Sequence, residues 1–150
     1  MNWIDRILMR LSVPFIIIDS EENGPYMVRY KIFRCPWFKI FVHHILRSDE
    51  DPELHDHPWN FVSLVLWSGY LEVLPARKMG DPLPVRRIRA GNVVRHRADD
   101  AHRLILNRPA WTFVVVTGKK RHWGFWTEDG WLPYEKFFDR KYGVGNWVSF

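Results

Sequence analysis

His55 and His57, one residue apart and flanking Asp56, together with His102 far along the chain, are the side chains whose types and spacing best suit a metal. In an extended segment the side chains alternate faces, so His55 and His57 point the same way and Asp56 points the other way. A third imidazole arriving from another strand completes a three-nitrogen face that leaves positions open for water or substrate. Such a face suits iron, zinc, nickel or copper.

The rest of the chain must supply the strands that bring these rings together. Residues 1–11 carry apolar positions at helical spacing (Trp3, Ile4, Ile7, Leu8, Leu11) and predict a short amphipathic helix packed on a barrel. Charges at Asp5, Arg6 and Arg10 exclude a signal peptide or a membrane span there. Strands are expected at 13–18, 26–33 and 37–46, with a turn over 19–25. An acidic loop at 47–53 leads into the His pair. Residues 61–67 and 70–74 are expected to form a hairpin around Ser68-Gly69. After a proline-rich loop at 75–84, short strands follow at 85–89, 92–96, 102–106, 111–117 and 122–126, and residues 133–140 suit a helix. Roughly ten short strands without long alternating helices point to a β-sandwich or barrel and away from a parallel α/β sheet.

Composition agrees. The 150 residues suffice for one domain with a real core, and 47% hydrophobic and 16% aromatic content excludes intrinsic disorder. The single cysteine, Cys35, reads as a small buried apolar residue and calls for no oxidising compartment, so a cytoplasmic location is expected. The net charge of +5 is spread over short clusters such as Arg86-Arg87 and Lys119-Lys120-Arg121, which read as solvated faces. No recognised nucleic-acid motif accompanies them, and nucleic acid is a disfavoured partner.

These residues together resemble the cupin superfamily, a jelly-roll barrel with two sequence motifs. The first runs from a His-x-His pair through a Glu to a Gly; His55, His57 and Gly69 match it. The Glu position, counted back from Gly69, is Val62, which cannot ligate. The second runs from a Gly through a Pro-x-Gly turn to one His. Gly91 and His102 match with the right separation, while Arg97, Asp99 and Leu106 replace the usual Pro, Gly and Asn. The phrase His55-Asp56-His57-Pro58-Trp59, with Gly69-Tyr70 and the later Trp123-Gly124-Phe125-Trp126, also resembles small bacterial and phage cupin-like proteins, a likeness that brings no assigned reaction.

The resemblance implies an all-β fold, a cupin double-stranded β-helix with a short N-terminal helix and a Trp-rich C-terminal tail, as one domain over 1–150. It implies one divalent metal ion on His55, His57 and His102, iron first, with zinc, nickel or manganese behind it. A three-His shell is similar to that of thiol dioxygenases resembling cysteine dioxygenase. Being neutral, it leaves the metal more positive than a shell with a carboxylate and favours anionic ligands. The expected function is therefore an oxygenase-like metalloenzyme acting on a small anionic molecule. The rival reading, favoured by the missing Glu, is a non-catalytic barrel binding a small molecule such as a sugar on its Trp and Tyr faces.

Further residues gather around the motif. His96 is expected at the rim, with a fourth ligand or a hydrogen-bonding partner of the ligands as alternatives. Asp56 is a candidate to orient an imidazole, Trp59 to line the pocket mouth, and Asn60 and Glu72 to offer a fourth oxygen. His43 and His44 must face opposite ways, so at most one reaches the lumen, and neither is expected to ligate. Arg95 and Arg103 read as surface charge. The oligomeric state is left open: a homodimer through an edge strand is one option, and the aromatic terminal segments could cover such an edge.

Overall fold

The computed structural model describes residues 3–20 and 24–145. The remainder of the expected 19–25 turn, residues 1 and 2 of the N-terminal helix, and the end of the Trp-rich tail at 146–150 lie outside the described residues.

A short helix, α1 (Trp3–Arg10), is followed by twelve strands: β1 (Phe15–Ser20), β2 (Gly24–Arg34), β3 (Phe38–Ile45), β4 (Leu54–His55), β5 (Phe61–Trp67), β6 (Gly69–Val73), β7 (Val85–Arg89), β8 (Val93–His96), β9 (Arg103–Ile105), β10 (Ala110–Thr117), β11 (Gly124–Thr127) and β12 (Gly130–Pro133). A second helix, α2 (Tyr134–Tyr142), comes last. Among the described residues, no helix is long and apolar enough to cross a membrane. The large sheet runs β1-β2-β3-β10-β5-β8, and every pairing in it is antiparallel. β10, whose Trp111–Val116 run carries the strongest β-propensity in the chain, sits inside it between β3 and β5.

Two three-stranded sheets, β12-β11-β4 and β7-β6-β9, form the other strands. They are joined by one pair of residues. His55 N–H donates to the His102 carbonyl at 3.0 Å and His102 N–H to the His55 carbonyl at 2.9 Å. The core lies along the inner face of the large sheet, where Met27, Ile45, Val65, Tyr70, Ile88, Val94, Leu104 and Ala110 pack together.

Several expectations are corrected. The stretches 61–67 and 70–74 are not a hairpin, because β5 belongs to the large sheet and β6 to a small one. Ser68-Gly69 is the corner where the chain crosses between sheets. Gly69 is required there, since its φ is +141° and a Cβ would lie 2.3 Å from the Ile88 carbonyl oxygen. The helix α1 is not anchored by its apolar stripe, for Trp3, Ile7 and Leu11 are exposed. Its one buried residue is Asp5, which accepts a hydrogen bond from the Tyr30 hydroxyl at 2.5 Å and lies 3.3 Å from His44 Nδ1. Cys35 is half-buried rather than buried. The expected strand at 122–126 begins only at Gly124, and it pairs with β12, which periodicity did not reveal.

Replacing Gly69 by Ala should lower the urea midpoint by an amount equivalent to roughly 2 kcal/mol or more, because neither the backbone angle nor the Ile88 carbonyl accommodates a methyl group. An unchanged midpoint would show that the corner relaxes freely.

Candidate metal centre

His55 ends β4, His57 follows in the segment leading to β5, and His102 immediately precedes β9. Backbone bonds set all three. The His55–His102 bridge places two of the rings across one seam, and His57 N–H donates to the Ala98 carbonyl at 3.0 Å. Ring nitrogens of His55, His57 and His102 lie within 4.8 Å of one another. His57 Nε2 and His102 Nε2 are 2.8 Å apart, and the ring centroids of His55 lie 5.2 Å from those of both partners. Two nitrogens each about 2.1 Å from one ion, and at right angles around it, sit roughly 3 Å apart, so the pair is spaced to share a metal.

The orientation of His102 has a clear cause. Its Nδ1 donates to Glu72 Oε1 at 2.5 Å, which leaves Nε2 as an acceptor nitrogen facing His57 Nε2. Glu72 has no exposure to water. Its Oε1 also accepts from His96 Nε2 at 2.8 Å, and its Oε2 from Arg86 Nε at 2.5 Å. Burial works against this carboxylate's charge, but the hydrogen bonds from His102, His96 and Arg86 outweigh it and hold the pKa well below the usual range. Glu72, His96 and His102 form a second group of potential ligands, yet their atoms already satisfy one another. Glu72 thus stands as the buried acceptor behind the imidazole, rather than in the open site.

The remaining candidates divide. His96 is buried, not at the rim, and stacks on Phe61 with centroids 4.9 Å apart. Asp56 points away from the rings as expected but orients no imidazole. Its Oδ1 accepts from Gly124 N–H at 2.8 Å, and its Oδ2 accepts from Trp131 Nε1 at 2.8 Å and pairs with Arg121 at 3.1 Å. It therefore ties the His55-His57 segment to β11 and β12. Gly124 fits that role because a Cβ there would lie 2.1 Å from the Leu132 carbonyl oxygen. Asn60 braces the turn before His102 by accepting from Ala98 N–H at 2.8 Å, and offers no oxygen to the site. Trp59 packs against Phe41, Val114 and Val116.

Val62 faces outward, 38% exposed, and the residue beside the histidines is Phe61, whose ring lies 4.9 Å from that of His57 and 6.2 Å from that of His102. Alternation with the buried Ser63 and Val65 would have identified it. Sequence reasoning also missed Asp49 and Arg86. Asp49 is not in a merely solvated loop: it accepts from Leu104 N–H at 2.6 Å and lies 3.8 Å from His55 Nδ1. Arg86 acquires its role only through the β6–β7 register, which sets it opposite Glu72.

Burial, then the neighbouring imidazoles His102, His55 and His96, lowers the His57 pKa well below 6.5. Burial lowers that of His102 to about 4 despite the opposing pull of Glu72. Both rings are neutral at pH 7, the state in which a nitrogen can bind a metal. Unfolding returns them to ordinary values, so the unfolded chain takes up protons as pH falls through 6.5 while the native state does not. Metal-free protein should accordingly hold full stability above pH 6.5 and lose it towards pH 4, His102 alone accounting for about 3 kcal/mol. Glu72 extends the loss below pH 4.5. A urea midpoint that stays flat from pH 7 to 4.5 would contradict this.

No protein-family model matches the chain, and no curated protein is significantly similar to it. Solved structures do match. The polyketide cyclase RemF from Streptomyces resistomycificus superposes with a TM-score of 0.63 at 14% identity, over 88% of this chain and 89% of that one. A cupin-2 domain from Rhodospirillum rubrum gives 0.59 at 14% identity, over 79% and 78%. Fe(II)-HppE with the alternative substrate (S)-1-HPP gives 0.55 at 15% identity, over 69% of this chain. The chain spans 55% of the length of that HppE chain. Identities this low speak to the fold alone, and the fold is the cupin double-stranded β-helix.

Proposed function

We propose that His55, His57 and His102 bind one divalent metal ion and that the protein is an oxygenase-like metalloenzyme acting on a small anionic molecule. The observation that carries this reading is the 2.8 Å approach of His57 Nε2 to His102 Nε2, with the other nitrogen of His102 committed to a buried carboxylate. Two imidazole lone pairs facing each other at that distance repel unless a proton or a cation lies between them. A buried acceptor on the far side of a ligand ring is the usual companion of a metal-bound histidine.

Iron is our first assignment and zinc, nickel or manganese the alternatives. The fold's occurrence in Fe(II)-HppE supports the preference. When bound, such an ion polarises or activates the molecules that fill its open positions. The chain's own part is to hold three neutral nitrogens on one side, to keep His102 in a single tautomer through Glu72, and to shield that side with Phe61. Phe61 occupies the inward position next to the motif where a carboxylate could have ligated, which also favours the second reading, a barrel that binds a small molecule without turning it over.

Elemental analysis of protein purified without a His tag should find one metal ion per chain, and His57→Ala should lose it. Full stoichiometry in that variant would end the assignment. Glu72→Gln should keep the three donors but weaken metal retention against a chelator by roughly 10–100-fold. Turnover of a small anionic substrate by the loaded protein would distinguish the enzyme from the binding module.

A further inference from the structure

The interior of the large sheet holds a cation that no carboxylate among the described residues neutralises. Arg29 on β2 is in register with His43 on β3, which is in register with Thr112 on β10. Directly paired residues share a face of a sheet, so the three form a row. That row faces inward, because Phe41 and Ile45, two positions either side of His43, and Val114, two beyond Thr112, all belong to the core.

Arg29 is half-buried, and its Nε donates to His43 Nε2 at 3.0 Å. Its guanidinium carbon lies 5.3 Å from the centre of the Phe41 ring, which offers a π face but no counter-charge. Burial lowers the Arg29 pKa to about 10, leaving it charged at neutral pH, while burial and then Arg29 itself keep His43 neutral. With Nε committed to His43, the four N–H groups on the two Nη atoms remain, arranged as the fork that matches an oxyanion. On the far side of His43 in the same row, the Thr112 hydroxyl is buried, 2% exposed, and has no hydrogen-bond partner. A half-buried charge without a counter-charge and a buried hydroxyl without a partner, set in one row, are costly features for a fold to keep.

We propose that Arg29, aimed by His43 and accompanied by the Thr112 hydroxyl, is an anion-binding subsite that holds the carboxylate or phosphate-type head group of a small substrate inside the barrel. Calling that ligand a substrate rests on the metal-centre reading above; the anion binding does not. One end of the molecule is fixed on Arg29 while another reaches the histidine face. Acidic head groups are thereby selected over neutral and cationic ones.

Metal-free protein should be titrated with inorganic phosphate and, separately, with sodium acetate at constant ionic strength, following heat and the Arg29 Nε–Hε resonance. Saturable binding to at least one probe is expected, and the stronger response tells a phosphate-type head from a carboxylate. Arg29→Gln should weaken it by roughly 10–100-fold, the loss of a charge-assisted bidentate contact. His57→Ala, which removes the metal, should bind the same probe within about two-fold of wild type. Retention of metal by His57→Ala with anion binding lost only in Arg29→Gln would sink the metal reading and leave the subsite standing. Equal affinity in Arg29→Gln, or anion binding abolished by His57→Ala, would overturn the subsite and leave the metal reading untouched. If Arg29→Gln does not fold, the wild-type resonance decides: a saturable shift supports the subsite, and no shift refutes it.

Discussion

A carboxylate with no contact with water sits behind the imidazole of His102, and the candidate centre depends on keeping that charge satisfied. Taking a carboxylate out of water costs several kcal/mol, and only close donors offset it. Glu72 has three, from His102, His96 and Arg86. Meeting that demand determines much else. It selects the tautomer of His102, turns Nε2 towards His57, draws His96 into the interior, and fixes β7 against β6 through Arg86. The same group that is expensive to bury is what makes the ring in front of it rigid and directional.

The second constraint is the seam. Two small sheets meet through the backbone bonds of His55 and His102 and through the packing of Leu54 against Val73 and Ile105, and they face the large sheet across the core. The residues that would hold an ion are thus also the residues that connect the strands. Asp56 extends the coupling outward by tying the motif to Gly124, Trp131 and Arg121. Structural and chemical roles alternate along three consecutive residues because adjacent side chains in an extended segment point to opposite sides.

Much of this was legible in the chain. The His-x-His spacing required only the period of a strand, and the distant His102 was placed by its motif glycine and by alternation with Leu104. The strand-rich pattern and its fold class followed from short β-branched and aromatic runs between turn residues. What could not be read were relations set by register. Nothing local links Glu72 to Arg86 and His102, or Arg29 to His43 and Thr112, since each pairing depends on which strands lie side by side. The Ser68-Gly69 corner resembled a hairpin because a turn signal specifies a bend but not which sheet receives the next strand. The error at Val62 came from counting along a motif where the inward alternation to Ser63 and Val65 was the better guide. Asp5 was overlooked for a different reason: a helix with an apolar stripe is expected to bury the stripe, and here a hydrogen-bonded carboxylate is its buried anchor.

X-ray absorption at the metal edge, on protein loaded with one equivalent of ferrous ion, tests the centre most directly. Convergence of His55, His57 and His102 predicts a nitrogen-rich inner shell with the outer-shell scattering of three imidazole rings. A spectrum with oxygen donors and no imidazole scattering would contradict it.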